Sequence, residues 1–133
     1  MKRILTFIAL ATLATSCSDD KAHEKSLLDS ITKAHEKVMV DDGMIMKNIM
    51  ALKPYALAPA TKDSATLYSK NLSNADDVMM DWMNKFNPDF AGKTHEQTMA
   101  YLTSQKAQVL KVDSLINSAV TTSNQYLTKI KTK

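Results

Sequence analysis

Three long stretches with apolar residues at helical spacing, separated by proline-containing breaks, predict an all-α fold. It is an antiparallel three-helix bundle, up-down-up, after a cleaved signal peptide. Two glycines and three prolines in 133 residues are too few turn-formers for a β-rich chain. Short connections between long helices leave little but antiparallel neighbours.

Lys2 and Arg3 precede an uncharged run over 4–16 rich in Leu, Ile, Ala and Phe, the layout of an export signal. As a helix this run reaches roughly 20 Å, short of the ~30 Å hydrocarbon core of a bilayer, so it reads as removed. Leu13-Ala14-Thr15-Ser16-Cys17 resembles the lipobox of bacterial lipoproteins, with Leu at the fourth rather than the third position before Cys17. On that resemblance residues 1–16 are the signal, Cys17 is the lipidated first residue, 17–22 form a short tether and 23–133 the helical domain. A secreted protein with one spare thiol is the alternative. Cys17 is the only cysteine, so it has no intramolecular disulfide partner. Ser18-Asp19-Asp20-Lys21 resembles a short acidic export tag of Bacteroidota lipoproteins. The expected location is the cell envelope, lipid-anchored at the outer membrane, with either leaflet open.

In the first mature segment Ile31, Val38, Ile45 and Leu52 repeat every seven residues, with Leu28 and Ile49 on an adjoining line. This predicts an amphipathic helix over 21–53. It should end before Pro54, because a proline disfavours helical geometry in the residue ahead of it, and Gly43 marks a possible bend. The apolar loop over 54–60 is expected to pack down. A second helix starts near Thr61 or Asp63, carries Tyr68, Leu72, Ala75, Met79, Trp82 and Phe86 in a three-four repeat, and stops at Asn87-Pro88. After a loop over 87–93, Thr94-His95-Glu96-Gln97 has the form of a capping box. The third helix runs from there to near Ile130 on a stripe of Met99, Leu102, Val109, Ile116, Val120, Leu127 and Ile130. The seven-residue spacing suggests near-parallel, coiled-coil-like crossings.

The formal charge of +3 shrinks once Lys2 and Arg3 leave with the signal, which takes 17 basic residues to 15 against 14 acidic ones. A nearly neutral domain has no basic face for nucleic acid. Lys129, Lys131 and Lys133 form a small basic tail that suits a helix C-terminus.

His35-Glu36-Lys37-Val38-Met39, the block from Asp76 to Phe86 that contains Met79-Met80-Asp81-Trp82-Met83-Asn84-Lys85-Phe86, then His95-Glu96 and Met99-Ala100-Tyr101-Leu102 resemble a family of small Bacteroidota lipoproteins. That family carries the label "viral A-type inclusion protein", a name that comes from coiled-coil similarity. The resemblance spans nearly all of the mature chain. It implies a helical lipoprotein of unknown function and no catalytic residues.

The chemistry worth weighing lies in histidine and methionine. HExxM occurs twice, at His35 to Met39 and at His95 to Met99, and Met79 and Met83 are a further i, i+4 pair. Such pairs share a helix face, and thioether with imidazole suits a soft metal such as Cu(I). In an up-down-up bundle His35, Met39, Met79, Met83, His95 and Met99 fall toward one end, so a common copper site is one expectation. Core packing is the other, since methionine is a flexible core filler. The second histidine of HExxH is missing, which rejects metalloprotease chemistry. Asp76, Asp77 and Asp81 lack EF-hand spacing, and no phosphate loop or nucleophile elbow is present.

His35 and Asp42 share the line Leu28, His35, Asp42, Ile49, which otherwise faces inward, and His95, Lys106 and Asp113 lie along the third helix's stripe. Buried polar groups need partners, so Asp42 with Lys106, or His35 with a carboxylate, are the expected register-setting pairs. Taken together the residues predict a membrane-anchored, non-enzymatic interaction or structural module of the envelope with no required cofactor. Its expected contacts are the membrane, through the N-terminal lipid, and a protein partner. A copper-binding lipoprotein is the alternative.

Overall fold

The computed structural model describes residues 14–132, with side chains from Ser18 onward. Residues 1–13 of the signal expected over 1–16, and the Cys17 side chain, therefore lie outside the described residues. Three helices, α1 Ala14–Leu57, α2 Lys62–Lys85 and α3 His95–Lys131, pack against one another, and no strand occurs among the described residues.

Cross-helix contacts establish the directions. Glu24 with His95, Lys37 with Asp113 and Asn48 with Ser123 climb α1 and α3 together. Trp82 with Gln105 and Tyr68 with Tyr126 run oppositely along α2 and α3. The bundle is up-down-up, as the helical periods and short loops predict.

The heptad line of α1 forms the middle of the core: Ile31, Val38, Ile45 and Leu52 are all fully buried. Against it lie Ala65, Leu72, Ala75, Met79 and Trp82 from α2, and Leu102, Val109, Val112, Ile116, Ala119 and Leu127 from α3. The α3 heptad continues from Leu102, Val109 and Ile116 to Ser123, which is buried without exposure. Asn48 meets it there, donating from Nδ2 to Ser123 Oγ at 2.8 Å and to Asn124 Oδ1 at 2.9 Å. A polar layer thus sits where the apolar pattern alone predicts none.

Both ends of α1 differ from expectation. The helix already includes 17–22, expected as a tether, and it passes through Pro54 to Leu57 rather than ending at Lys53. Proline removes one backbone donor, but Pro54 is exposed, where water can serve the orphan carbonyl. Leu52, Tyr55 and Ala56 hold the last turn against the core. Thr61 Oγ1 then caps the Tyr55 carbonyl at 2.7 Å. The loop does not pack down as predicted: Leu57 is 80% exposed and Ala58, Pro59 and Ala60 are exposed too.

The α2–α3 loop follows its residue types. Gly92 supplies a left-handed φ of 76° in the turn closed by Lys93 N–H to the Phe90 carbonyl at 3.0 Å. Thr94 and Gln97 form the capping box reciprocally, at 3.2 Å and 3.0 Å.

Gly43 lies inside α1 on an exposed face, and a Cβ there would meet no atom within 4 Å. Glycine in a helix interior costs about 0.5–1 kcal/mol relative to alanine, and nothing in the fold requires it. Gly43→Ala should therefore raise unfolding free energy by about that amount in urea titrations at high dilution. Ile45→Ala, two residues away in the core, should lower it by about 2–4 kcal/mol.

Candidate functional site

The most chemically distinctive place in the molecule is the seam where α1 passes the last turns of α2. His35 is half-buried there, its Nε2 3.0 Å from Met83 Sδ. Its ring lies 5.6 Å from that of Trp82, tilted by 41°. Trp82 is 6% exposed, and its Nε1 donates to Gln105 Oε1 at 2.9 Å, which fixes the indole plane. Beyond it the aromatic contacts continue through Phe86 at 5.3 Å to Tyr101 at 6.2 Å and Phe90 at 6.1 Å. A cavity of about 240 Å³ opens beside His35, lined by Ile31, Thr32, Trp82, Met83 and Phe86.

Helical spacing explains the convergence. Ile31 and His35 are one turn apart on α1, and Trp82 and Met83 occupy the last turn of α2, which runs down to the same level and is followed at once by Phe86. Trp82 turns toward α3 and Met83 toward α1, so the two neighbours in sequence take different jobs.

The six-residue His/Met cluster expected from spacing does not assemble. His95 belongs to another level: its Nδ1 lies 2.9 Å from Glu24 Oε1 and its Nε2 3.5 Å from Asp20 Oδ1. Glu24 stands eleven residues before His35, roughly 16 Å along the helix. Met99, one turn after His95, stays with that end. Met79 is 1% exposed and belongs to the core, whereas Met39, one turn from His35, is 44% exposed. His35 and Met83 are the members that meet, with Met39 one turn along α1 from His35. Among the described residues no three His, Cys, Asp or Glu side chains are grouped as a metal site.

The predicted polar pairs also change partners. His35 meets a thioether, not a carboxylate. Asp113 accepts from Lys37 Nζ at 2.5 Å and from Asn117 Nδ2 at 2.9 Å. Lys106 makes no ion pair among the described residues, and Asp42 faces Asp76 across the α1–α2 seam rather than Lys106. Two of these carboxyls are displaced from their ordinary ionisation. Lys21 Nζ and then His95 hold Glu24 below the usual carboxylate range. Burial first, then the neighbouring Asp42 and Asp77, push Asp76 above it. Sequence reasoning did not find Glu24, Asn48, Thr98, Gln105 or Ser123 as buried polar groups. Ser123 carried a readable signal, its place in the 102–109–116 heptad; for Asn48 and Gln105 the reason for burial lies on another helix.

A second surface feature lies on the outward side of α1. Met39, Met46, Met50 and Leu57 fall on one line and are 44%, 54%, 70% and 80% exposed. With Gly43 and Lys53 they occupy the a and d positions of a heptad frame separate from that of the core. Asp42 and Lys47 flank this line on opposite sides.

No family model, curated protein or solved structure matches this chain. Among the described residues no helix is long and apolar enough to cross a membrane.

The Asp42–Asp76 contact makes a signed prediction. A carboxyl whose folded pKa is raised binds its proton more tightly in the folded state, so its stabilising contribution is present below the ordinary value of 3.8 and is lost as pH rises through the folded pKa. Asp76→Asn keeps a donor toward Asp42 and removes the charge. It should stabilise the dilute protein at pH 7 by on the order of 0.5 kcal/mol, the size of a screened surface charge pair, and flatten the fall in stability above pH 4.

Proposed function

We propose that this protein is a lipid-anchored, non-catalytic helical module of the cell envelope that works by self-association along the outer face of α1. The exposed line of Met46, Met50 and Leu57 carries this reading. It continues for about three turns on a helix whose opposite face is already in the core. Large apolar side chains that repeat at heptad spacing on the solvent side are a surface suited to a second helix.

Three features favour a second copy of the same chain, parallel and in register. Gly43 occupies an a position with open space around it, at a cost to α1 that a close helix–helix approach offsets. In a parallel pair a g residue meets the e residue five places on in the other copy. That brings Lys47 of each copy to Asp42 of the other, where Asp42 and Asp76 otherwise repel. Finally, two copies anchored through Cys17 share one membrane and so point the same way. Cys17 lies three residues before Asp20, which touches His95, so on this reading little chain separates the anchored residue from the bundle.

The anchor has its own support in the sequence, the short uncharged signal and the lipobox-like run before the lone cysteine. Binding rather than catalysis is favoured by a core whose buried polar groups are satisfied by one another.

Two experiments test this. Cys17→Ser should release the protein from membranes into the soluble fraction; a variant that still pellets with membranes refutes the lipid anchor. In that background, sedimentation should show a dimer at micromolar concentration. Met46→Glu with Met50→Glu should weaken it at least a hundredfold without loss of helicity, since both side chains face solvent in the monomer. Gly43→Cys should crosslink to itself under oxidation. A monomer at hundreds of micromolar overturns the self-association reading, and crosslinking only between engineered cysteines at 46 and 50 overturns the parallel register.

A further inference from the structure

We infer that the His35 niche is a binding site for a soft monovalent metal ion, Cu(I) or its analogue Ag(I), held by His35 Nε2, Met83 Sδ and Met39 Sδ, with the Trp82 indole beside it. This inference stands apart from self-association, which rests on Gly43, Met46, Met50 and Leu57 farther along α1; Met39, at the start of that exposed line, is the one residue the two share.

Donor chemistry comes first. Imidazole nitrogen and thioether sulfur are the donors facing each other here, 3.0 Å apart. Zinc, taken as a guide to scale, bonds imidazole nitrogen and thiolate sulfur at about 2.0–2.3 Å. An ion can therefore enter between the two after a small side-chain adjustment, and Met83 is unbranched and flexible enough to make it. Thioether is a soft donor, and a set without carboxylate or thiolate selects Cu(I) over Zn(II), Mg(II) or Ca(II). Asp42, the next residue on the same line of α1, is engaged with Asp76.

Geometry supplies the third donor and the access. Met39 is one turn from His35 on the same face and 44% exposed, so its thioether can swing over the imidazole. The cavity of about 240 Å³ beside His35 is lined otherwise by Ile31, Thr32, Trp82 and Phe86. Such a wall shields a weakly hydrated cation from water. Trp82 adds more than shielding. Its ring is 5.6 Å from that of His35, so an ion taken up by the imidazole changes the surroundings of the indole. The hydrogen bond to Gln105 holds that indole in place.

The chain carries its own reporter, since Trp82 is its only tryptophan. The experiment uses the full chain with Cys17→Ser, which removes the one thiol able to bind Cu(I) elsewhere. Cu(I) is titrated anaerobically against bicinchoninate while tryptophan emission is followed, and Ag(I) is titrated in parallel. The expected result is 1:1 binding in the micromolar range or tighter, with emission changing in step. Met83→Leu, nearly equal in volume, and His35→Ala should each weaken binding at least tenfold, and Met39→Leu less so. Met50→Leu, on the same helix but several turns away, should leave it unchanged, and Zn(II) should not compete. Binding that survives Met83→Leu with His35→Ala, binding without a tryptophan response, or equal binding of Zn(II) overturns the assignment. So does an absence of binding below millimolar Cu(I). Circular dichroism of each variant confirms that the helices persist, and the near-isosteric Met83→Leu decides the matter if His35→Ala loses structure.

Discussion

One helix face holds this molecule together. Ile31, Val38, Ile45 and Leu52 form a fully buried line on α1, and both other helices pack against it. Repeating every seven residues, the line drifts slowly around a straight helix, so it stays between two near-parallel neighbours over its length. Polar contacts then select one register from the several that an apolar line permits. Glu24 with His95, Lys37 with Asp113 and Asn48 with Ser123 lock α1 to α3 at three heights. A slip of one turn would separate all of them and leave Asn48 and Ser123 buried without partners, at a cost of about 1–3 kcal/mol for each unsatisfied group.

Because α1 lends one face to both neighbours, the opposite face is left to water. There the chain places methionines and a leucine where lysine and glutamate would serve solubility better. The Asp42–Asp76 contact lies beside this face and is electrostatically unfavourable in the single bundle. A surface stripe, a helix-interior glycine with open space around it and a carboxyl pair in want of a cation are each tolerable alone. They coincide within about four turns of the outer face of α1 and the α2 surface beside it.

The His35 niche arises from the other consequence of the register. α2 ends at the level of His35, so its last turns bring a thioether, an indole and a phenyl ring against the imidazole. Met79 and Met83 are one turn apart, yet the first is sealed in the core and the second reaches the seam. Equal spacing in the sequence therefore does not mean equal availability as a ligand. The pairing of His95 with Glu24 makes the same point: two identical HExxM motifs end in different surroundings, one beside sulfur and aromatic rings, the other between carboxylates.

What the sequence determined by itself is whatever depends on residues within a few turns of each other. The three helices, the capping box at Thr94 and the inward lines of all three helices follow from local spacing, and they hold in the structure apart from Met99, whose place in the core is taken by Thr98. The helix does not stop at Pro54 because a local preference meets a tertiary one: Tyr55 and Ala56 gain more by packing on the core than the proline loses at an exposed position. Only the tertiary structure decided which polar side chains meet. Asp42 against Asp76, His35 against Met83 and Asn48 against Ser123 join residues far apart in the chain. Their pairing depends on the rotation and axial offset of whole helices, quantities that the packing of all three inward faces sets at once and that no single stretch of sequence contains.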